Sequence, residues 1–230
     1  SQRQANSRTV QGELEKALRK IGWSGRSVLM AGRTDTGVHA SGQVAVFDLE
    51  WAHKNEQLLK ALNAELPADL AARRLFPADA DFHPRFDAVS RTYRYRLFSD
   101  PLRDPLRERY AWRLSTPLDG DALKQNADVF LGTHDFAAFG SPTSERGTTV
   151  RTVTKSEWRR KPDSEWQFEV RADAFLYRMV RRLVFVQSAL AQGKCSVKDV
   201  RSALSKQTNL LAGLAPAHGL TLVRVDYGSR

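Results

Sequence analysis

The clearest candidate for chemistry is an aspartate in a glycine-containing segment: Asp35 lies within residues 32–40, which read GRTDTGVHA. Gly32 and Gly37 bracket the acid, and glycine permits positive φ angles and a close approach of a ligand to the backbone. Such a loop can wrap a nucleotide while its carboxylate points inward. A loop aspartate also commonly forms a turn by hydrogen-bonding its own backbone, so the segment alone leaves both interpretations open.

A second candidate is an arginine inside an apolar stretch with helical spacing. The neighbours of Arg181 are Leu176, Met179, Val180, Leu183, Val184, Phe185 and Val186. An unpaired charge in such surroundings is costly, so we expect Arg181 to pair with an anion. The alternative is that Arg178, Arg181 and Arg182 form a solvated stripe whose charged ends reach water.

Residues 91–98 alternate in a way that predicts a strand. Tyr93, Tyr95 and Leu97 share one face, and Arg94 and Arg96 share the other. Tyr95 is interpreted as a core residue. A tyrosine ring at position 93 has two possible uses beyond packing: it can stack on a base, or its hydroxyl can help to move a proton.

Other ionisable residues are not assigned acid-base or metal-binding chemistry. His39 and His134 are lone histidines near turns, which are more often structural than catalytic. Asp79, Asp81 and Asp87 superficially resemble the acidic cluster of a metal-dependent nuclease. The histidines lack the spacing of metal ligands, and we predict no metal site.

Six blocks of the sequence resemble the TruA family of pseudouridine synthases, in the order that the family keeps. The blocks span residues 32–40, 82–88, 91–95, 134–136, 175–181 and 215–220. A single block is weak evidence, but six in register over nearly the whole chain are specific.

The resemblance implies a fold, a substrate and a reaction. The fold is α+β, with two similar domains whose mixed, mainly antiparallel sheets meet at a central cleft. The substrate is tRNA, modified at uridines 38 to 40 of the anticodon stem-loop by a homodimer in the cytoplasm. The reaction needs neither cofactor nor metal: the glycosidic bond breaks, the uracil rotates, and C5 bonds to C1′.

The resemblance also implies roles for individual residues. Asp35 is the nucleophile and attacks either C6 of the base or C1′ of the ribose, which the sequence does not decide. Arg181 lies beside it and favours its ionised form, while Tyr93 faces the target uridine. The residues expected to bind substrate are Arg33, Thr34, Gly37, His39, Arg91 and Leu220.

The sequence departs from the family pattern at its N-terminal end and at position 185. The chain begins at Ser1 without the usual first strand, so we expect the sheet of the first domain to be shortened. Phe185 stands where the family commonly has glycine, which predicts different helix packing without effect on the proposed chemistry.

The elements around these residues predict two α+β halves. Helices are expected at 9–21, 55–66, 119–131, 175–191 and from 196, and strands at 27–31, 43–47, 70–76, 91–98, 150–160, 165–173 and 219–227. Turn-forming residues interrupt the pattern around 99–120. We therefore predict an N-terminal domain of residues 1–104 and a C-terminal domain of residues 105–230.

The net charge of the chain indicates the class of molecule that it binds. The chain has 230 residues, with 36 Lys and Arg against 26 Asp and Glu, a formal net charge of +10. An arginine-rich excess favours a nucleic-acid partner, although a noncatalytic RNA-binding module or a metal-dependent nuclease would share this charge. No segment is apolar enough to predict a membrane span, and the single Cys195 excludes an intrachain disulfide.

Overall fold

A computed structural model of the chain describes residues 2–4, 7–143, 147–206 and 210–228. The helices are α1 Val10–Lys20, α2 Asn55–Glu65, α3 Gly120–Ala127, α4 Met179–Ala191 and α5 Val197–Lys206. The strands are β1 Leu29–Met30, β2 His39–Ala40, β3 Ala45–Val46, β4 Ser90–Ser99, β5 Trp112–Leu114, β6 Gly132–Asp135, β7 Val150–Arg160, β8 Glu165–Ala172 and β9 Leu220–Asp226. The α+β class is confirmed.

The chain divides into two compact units. The first contains residues up to Thr34 together with Gln43–Ala88, and the second contains Asp35–Gly42 together with all residues from Val89 onward. This division differs from the predicted boundary between residues 104 and 105. The reason is that β4 pairs with β8 and β9 and therefore groups with the second unit. That residues 1–104 form a folding domain stays a prediction.

The first unit packs two helices with a short antiparallel pair of strands. Thr9 caps α1 by accepting a hydrogen bond from the Gly12 amide, which satisfies one of the free donors of the first helical turn. β1 pairs with β3. The predicted strands at 27–31 and 43–47 are thus present but short. The core consists of Ala17, Leu18, Trp23, Val28 and Leu62.

The strand predicted at 70–76 is wrong, because this segment pairs with no strand in the described part of the chain. One of its residues is bonded to a side chain. The Asn63 side chain of α2 donates to the Ala72 carbonyl at 2.8 Å and accepts from the Ala72 amide at 2.8 Å. At Ala72, an amide side chain therefore takes the place of a strand partner.

The second unit contains a seven-stranded mixed sheet in the order β2-β9-β4-β8-β7-β6, with β5 added alongside β4. Two pairings, β2 with β9 and β4 with β5, are parallel, and the remaining ones are antiparallel. This confirms the mixed, mainly antiparallel sheet. β5 and β6 were not among the predicted strands, because each has only three or four residues.

The helix α4 lies in the core of the second unit. Leu183, Val184, Val186 and Leu190 are buried, together with the β4 residues Tyr95 and Leu97. α4 begins at Met179 and not at 175 as predicted, because Arg178 adopts a left-handed conformation with φ 62°. Among the described residues, no helix has both the length and the apolar character needed to cross a membrane.

Candidate active site

Asp35 opens the segment of residues 35–42, which belongs to the second unit. The Val38 amide donates to the Asp35 carbonyl at 3.1 Å, so the acid begins a tight turn, and Gly37 within it has φ 81°. A positive φ of this size favours glycine over residues with a β-carbon. β2 follows directly and pairs with β9. The turn is therefore attached to the sheet immediately after the acid.

Arg181 of α4 forms an ion pair with this acid. Its Nη1 lies 3.0 Å from Asp35 Oδ2, and the side chains are 15% and 25% exposed respectively. This is the contact that the sequence predicts for an arginine in an apolar helix. The two neighbouring arginines differ from it: Arg178 is exposed and stacks over Tyr177, and Arg182 donates to the Gly213 carbonyl.

Arg181 also forms hydrogen bonds with a backbone segment that follows later in the chain. Residues 213–219, called the strap below, pass beside α4. Arg181 Nε donates to the Ala215 carbonyl at 2.7 Å, and the Ala215 amide donates back to the Arg181 carbonyl at 3.2 Å. A β-carbon added to Gly37 would lie 3.4 Å from Ala217 Cβ. The strap therefore contacts both the arginine and the turn of the acid.

Tyr93 lies on β4 near the ion pair. Its ring packs edge-on against Phe175, with 5.0 Å between ring centroids. Burial raises the pKa of Tyr93 to about 12; the charge of Arg91 lowers it, and that of Asp35 raises it further. The phenol is therefore protonated at neutral pH.

Tyr95 is a core residue, as predicted, with no exposed surface. Its hydroxyl donates to the Pro216 carbonyl at 2.8 Å, and burial raises its pKa well above the ordinary value. A β-carbon on Gly219 would lie 2.6 Å from the Tyr95 ring, so the strap passes closer to this ring than any larger residue allows. Tyr95 thus attaches the strap to the sheet.

The residues predicted to bind substrate lie in different surroundings. His39 packs on Tyr110 at 4.9 Å between ring centroids, and its Nε2 lies 3.3 Å from the Arg109 carbonyl oxygen. Arg91 donates to the Asp173 carbonyl at 3.0 Å. Leu220 is 6% exposed, so its side chain packs in the core.

The remaining predicted binding residues flank the acid in sequence. Gly37 lies in the turn that follows Asp35, as described above. Arg33 is exposed and Thr34 is partly exposed, and both belong to the first unit. The roles of all these residues in substrate binding stay predictions.

The sequence did not indicate two contacts of the site. One is the Ala215 carbonyl, because a backbone acceptor has no residue-type signature. The other is Tyr110 against His39, two residues separated by 71 positions. Among the described residues, no three His, Cys, Asp or Glu side chains are grouped in a way that could hold a metal ion.

Comparison with known proteins identifies the family of the chain. The family model of tRNA pseudouridine synthase matches residues 1–87 and 127–228, which is more than half of the chain. The chain belongs to the tRNA pseudouridine synthase family. The resemblance found in the six sequence blocks is therefore confirmed.

Alignments with similar proteins of the family cover most of the chain. The tRNA pseudouridine synthase A of Geobacillus kaustophilus is 42% identical over 229 residues, covering 97% of this chain and 87% of the relative. The proteins of the same name from Halalkalibacterium halodurans and Chloroflexus aurantiacus are each 40% identical, over 220 and 234 residues. These two alignments cover 94% and 99% of this chain and 83% of each relative.

Proposed function

We propose that this protein isomerises uridine to pseudouridine in the anticodon stem-loop of tRNA, at positions 38 to 40, with Asp35 as the nucleophile. The observation that carries the proposal is the Asp35–Arg181 ion pair, in a chain of the tRNA pseudouridine synthase family. An aspartate held by one arginine keeps lone pairs available for a substrate atom.

The proposed reaction conserves every atom of the nucleotide. The Asp35 carboxylate adds to C6 of the uracil or to C1′ of the ribose, and the N1–C1′ bond breaks. The uracil rotates, C5 bonds to C1′, C5 loses its proton, and N1 ends protonated. The carboxylate leaves in the last step, so the enzyme returns to its starting state.

Arg181 and Tyr93 assist this chemistry. The Arg181 guanidinium favours the ionised carboxylate and holds it in one orientation. Tyr93 stacks on the target base. We prefer stacking to removal of the C5 proton, because a phenol whose pKa is about 12 is almost fully protonated near neutral pH and is therefore a poor base.

The site of action and the assembly follow from the family resemblance and from the surface of the protein. The net charge of +10 fits a tRNA partner in the cytoplasm. Large apolar side chains are exposed at Phe76, Phe86, Leu102 and Leu106. Apolar side chains that are exposed singly are normal on a protein surface, so the proposed homodimer rests on the family resemblance. Light scattering with size-exclusion chromatography would test the dimer.

The decisive experiment replaces the acid. Unmodified tRNA transcript is incubated with wild type and with Asp35→Asn, and pseudouridine is mapped after chemical trapping, because the isomer leaves the mass unchanged. We expect Asp35→Asn to lose at least about 100-fold in rate while the Kd for tRNA stays within about threefold, since phosphate contacts dominate affinity. Asp121→Asn, on an exposed helix position, is the matched control and should remain active.

The result also separates the enzyme from a noncatalytic RNA-binding module. A binding module would give no pseudouridine with wild type and equal affinity with both variants. Trapped pseudouridine at uridines outside positions 38 to 40 would contradict the proposed site of action alone. A fully active Asp35→Asn variant would refute the role of the acid.

Salt dependence tests the proposed mode of tRNA binding. If the protein neutralises roughly six to eight phosphates, log affinity should fall against log salt with a slope of about −4 to −7, at about 0.7 to 0.9 per phosphate. Filter binding between low and moderate salt measures this slope. A slope near zero would mean that the positive charge makes no contact with tRNA.

A further inference from the structure

Phe185, which stands where the family commonly has glycine, has a specific neighbour in the structure. The ring of Phe185, on α4, occupies the space beside the α-carbon of Gly213 in the strap. A β-carbon built on Gly213 would lie 2.0 Å from Phe185 Cζ, and Gly213 has φ 150°. Any other residue at 213 would have to displace the ring and adopt an unfavourable backbone conformation. Phe185 and Gly213 therefore fit one another.

Arg182 holds the same glycine from a second direction. Its Nη1 donates to the Gly213 carbonyl at 2.9 Å, and its guanidinium lies over the Phe185 ring, 5.7 Å from the centroid. The ring and the guanidinium thus support each other while both contact Gly213. Two consecutive turns of α4 clamp one end of the strap.

Arg181 depends on the position of the strap two residues later. Its Nε donates to the Ala215 carbonyl, and its Nη1 donates to Asp35. Because both donors belong to one rigid guanidinium plane, a displacement of the Ala215 carbonyl also moves the end that contacts the acid. The far side of the strap is held separately, by the bond from Tyr95 to the Pro216 carbonyl.

We propose that Phe185 is a positioning residue: its ring, with Arg182, clamps Gly213, and the clamped strap holds the Arg181 guanidinium at Asp35. The effect on turnover rests on the proposed function, whereas the effect on the strap does not. A misplacement of about 1 Å at a reacting group can cost on the order of 100-fold in rate. Phe185 is thus connected to the chemistry although it touches neither the acid nor the base.

The test compares two truncations on the same helix. Phe185→Ala removes the clamp, while Leu190→Ala removes a buried side chain, 7% exposed, from the other end of α4. Melting temperatures are measured first, and assays are run where both variants are fully folded. We expect kcat for tRNA to fall about 10-fold or more in Phe185→Ala and less than about twofold in Leu190→Ala, with KM unchanged in both. Phe185→Leu, which keeps part of the contact, should fall in between.

Hydrogen exchange supplies a readout that is independent of activity. The Ala215 amide donates to Arg181, so its exchange should be faster in Phe185→Ala and unchanged in Leu190→Ala. Unchanged exchange together with wild-type kcat in Phe185→Ala would overturn the positioning role. If wild type forms no pseudouridine but the Ala215 amide still responds, the proposed function fails while the clamp stands.

Discussion

Arginine–carboxylate ion pairs lie on both sides of β4, but they differ in how many side chains donate to the carboxylate. On the outer face, Arg96 donates twice to Glu165, at 2.7 and 2.8 Å, and Arg94 donates to Glu169, which Lys155 also contacts. On the inner side of the same unit, among the described residues, only Arg181 contacts the Asp35 carboxylate. In Glu165 and Glu169 both carboxylate oxygens accept from a side chain, whereas within the described residues Asp35 accepts from a side chain only at Oδ2.

Electrostatics sharpen this contrast. Burial alone would raise the pKa of Glu169, but hydrogen bonds from Lys155 and Arg94 bring the pKa below its ordinary value. The outer arginines are 37% and 39% exposed, so water screens these pairs and they contribute little to stability. The Arg181 side chain is only 15% exposed and is also bonded to the backbone. A carboxylate whose two oxygens both accept from protein side chains has little capacity left for a further partner, whereas Arg181 holds Asp35 through Oδ2.

The largest expected effect is a loss of activity when Arg181 is replaced by alanine. The same replacement of Arg94, on the outer face, serves as the comparison. Arg181→Ala should lower kcat about 100-fold or more, since it removes a preorganised charge beside the reacting group. It should also cost about 1 to 3 kcal/mol of stability, less than for a fully buried pair because Asp35 is 25% exposed. Arg94→Ala, whose partner Glu169 keeps Lys155, should retain kcat within about twofold and lose no more than about 1 kcal/mol.

Steady-state kinetics and urea unfolding of both variants measure these effects. Equal losses of activity in Arg181→Ala and Arg94→Ala would remove the distinction between the two faces. Full activity of Arg181→Ala would show that the ion pair is structural only.

A smaller effect separates the two tyrosines of the inner face. Tyr95→Phe removes the donor to the partly buried Pro216 carbonyl and should cost about 1 to 2 kcal/mol in the free energy of unfolding. Tyr93→Phe should cost less than about 0.5 kcal/mol, and because stacking is kept, kcat should fall less than about 10-fold. A fall of about 100-fold or more in the kcat of Tyr93→Phe would instead assign proton transfer to its hydroxyl.

The smallest effect concerns acid stability near the strap. Burial lowers the pKa of His218 below its ordinary 6.5, and the neighbouring His39 lowers it further. Below pH 6.5 the unfolded chain binds a proton that the folded chain does not, so this contribution to stability is lost as pH falls from 6.5 toward the folded-state pKa. Melting temperatures of wild type should therefore fall more steeply over that range than those of His218→Gln. Parallel curves would show that His218 is not the responsible group.

Much of the site could be predicted from the sequence, because its signals are local. The position of Arg181 in an apolar helix requires an anion, and the alternation along residues 91–98 separates Tyr93 and Tyr95 from Arg94 and Arg96. Each of these inferences needs only the cost of burying a charge or the period of a strand.

The remainder depends on contacts that residue types do not encode. The Ala215 carbonyl is one acceptor among many, and nothing local indicates that Arg181 selects it. The segment at 70–76 was predicted to be a strand, yet at Ala72 the Asn63 side chain bonds both backbone groups in place of a strand partner. The effect of Phe185 was likewise predicted to be confined to packing, because its contact with Gly213 lies 28 positions away.

The path of the chain has a consequence for any attempt to divide this protein. It leaves the first unit after Thr34, returns at Gln43 and leaves again after Ala88, so the acid is carried by an eight-residue insertion bounded on both sides by the other unit. A fragment beginning at residue 89 would contain Arg181, both tyrosines and the strap, but not Asp35. A cut after Ala88, where the chain finally leaves the first unit, therefore separates Asp35 from Arg181, and a gene fusion at that junction would not transfer both residues to another protein.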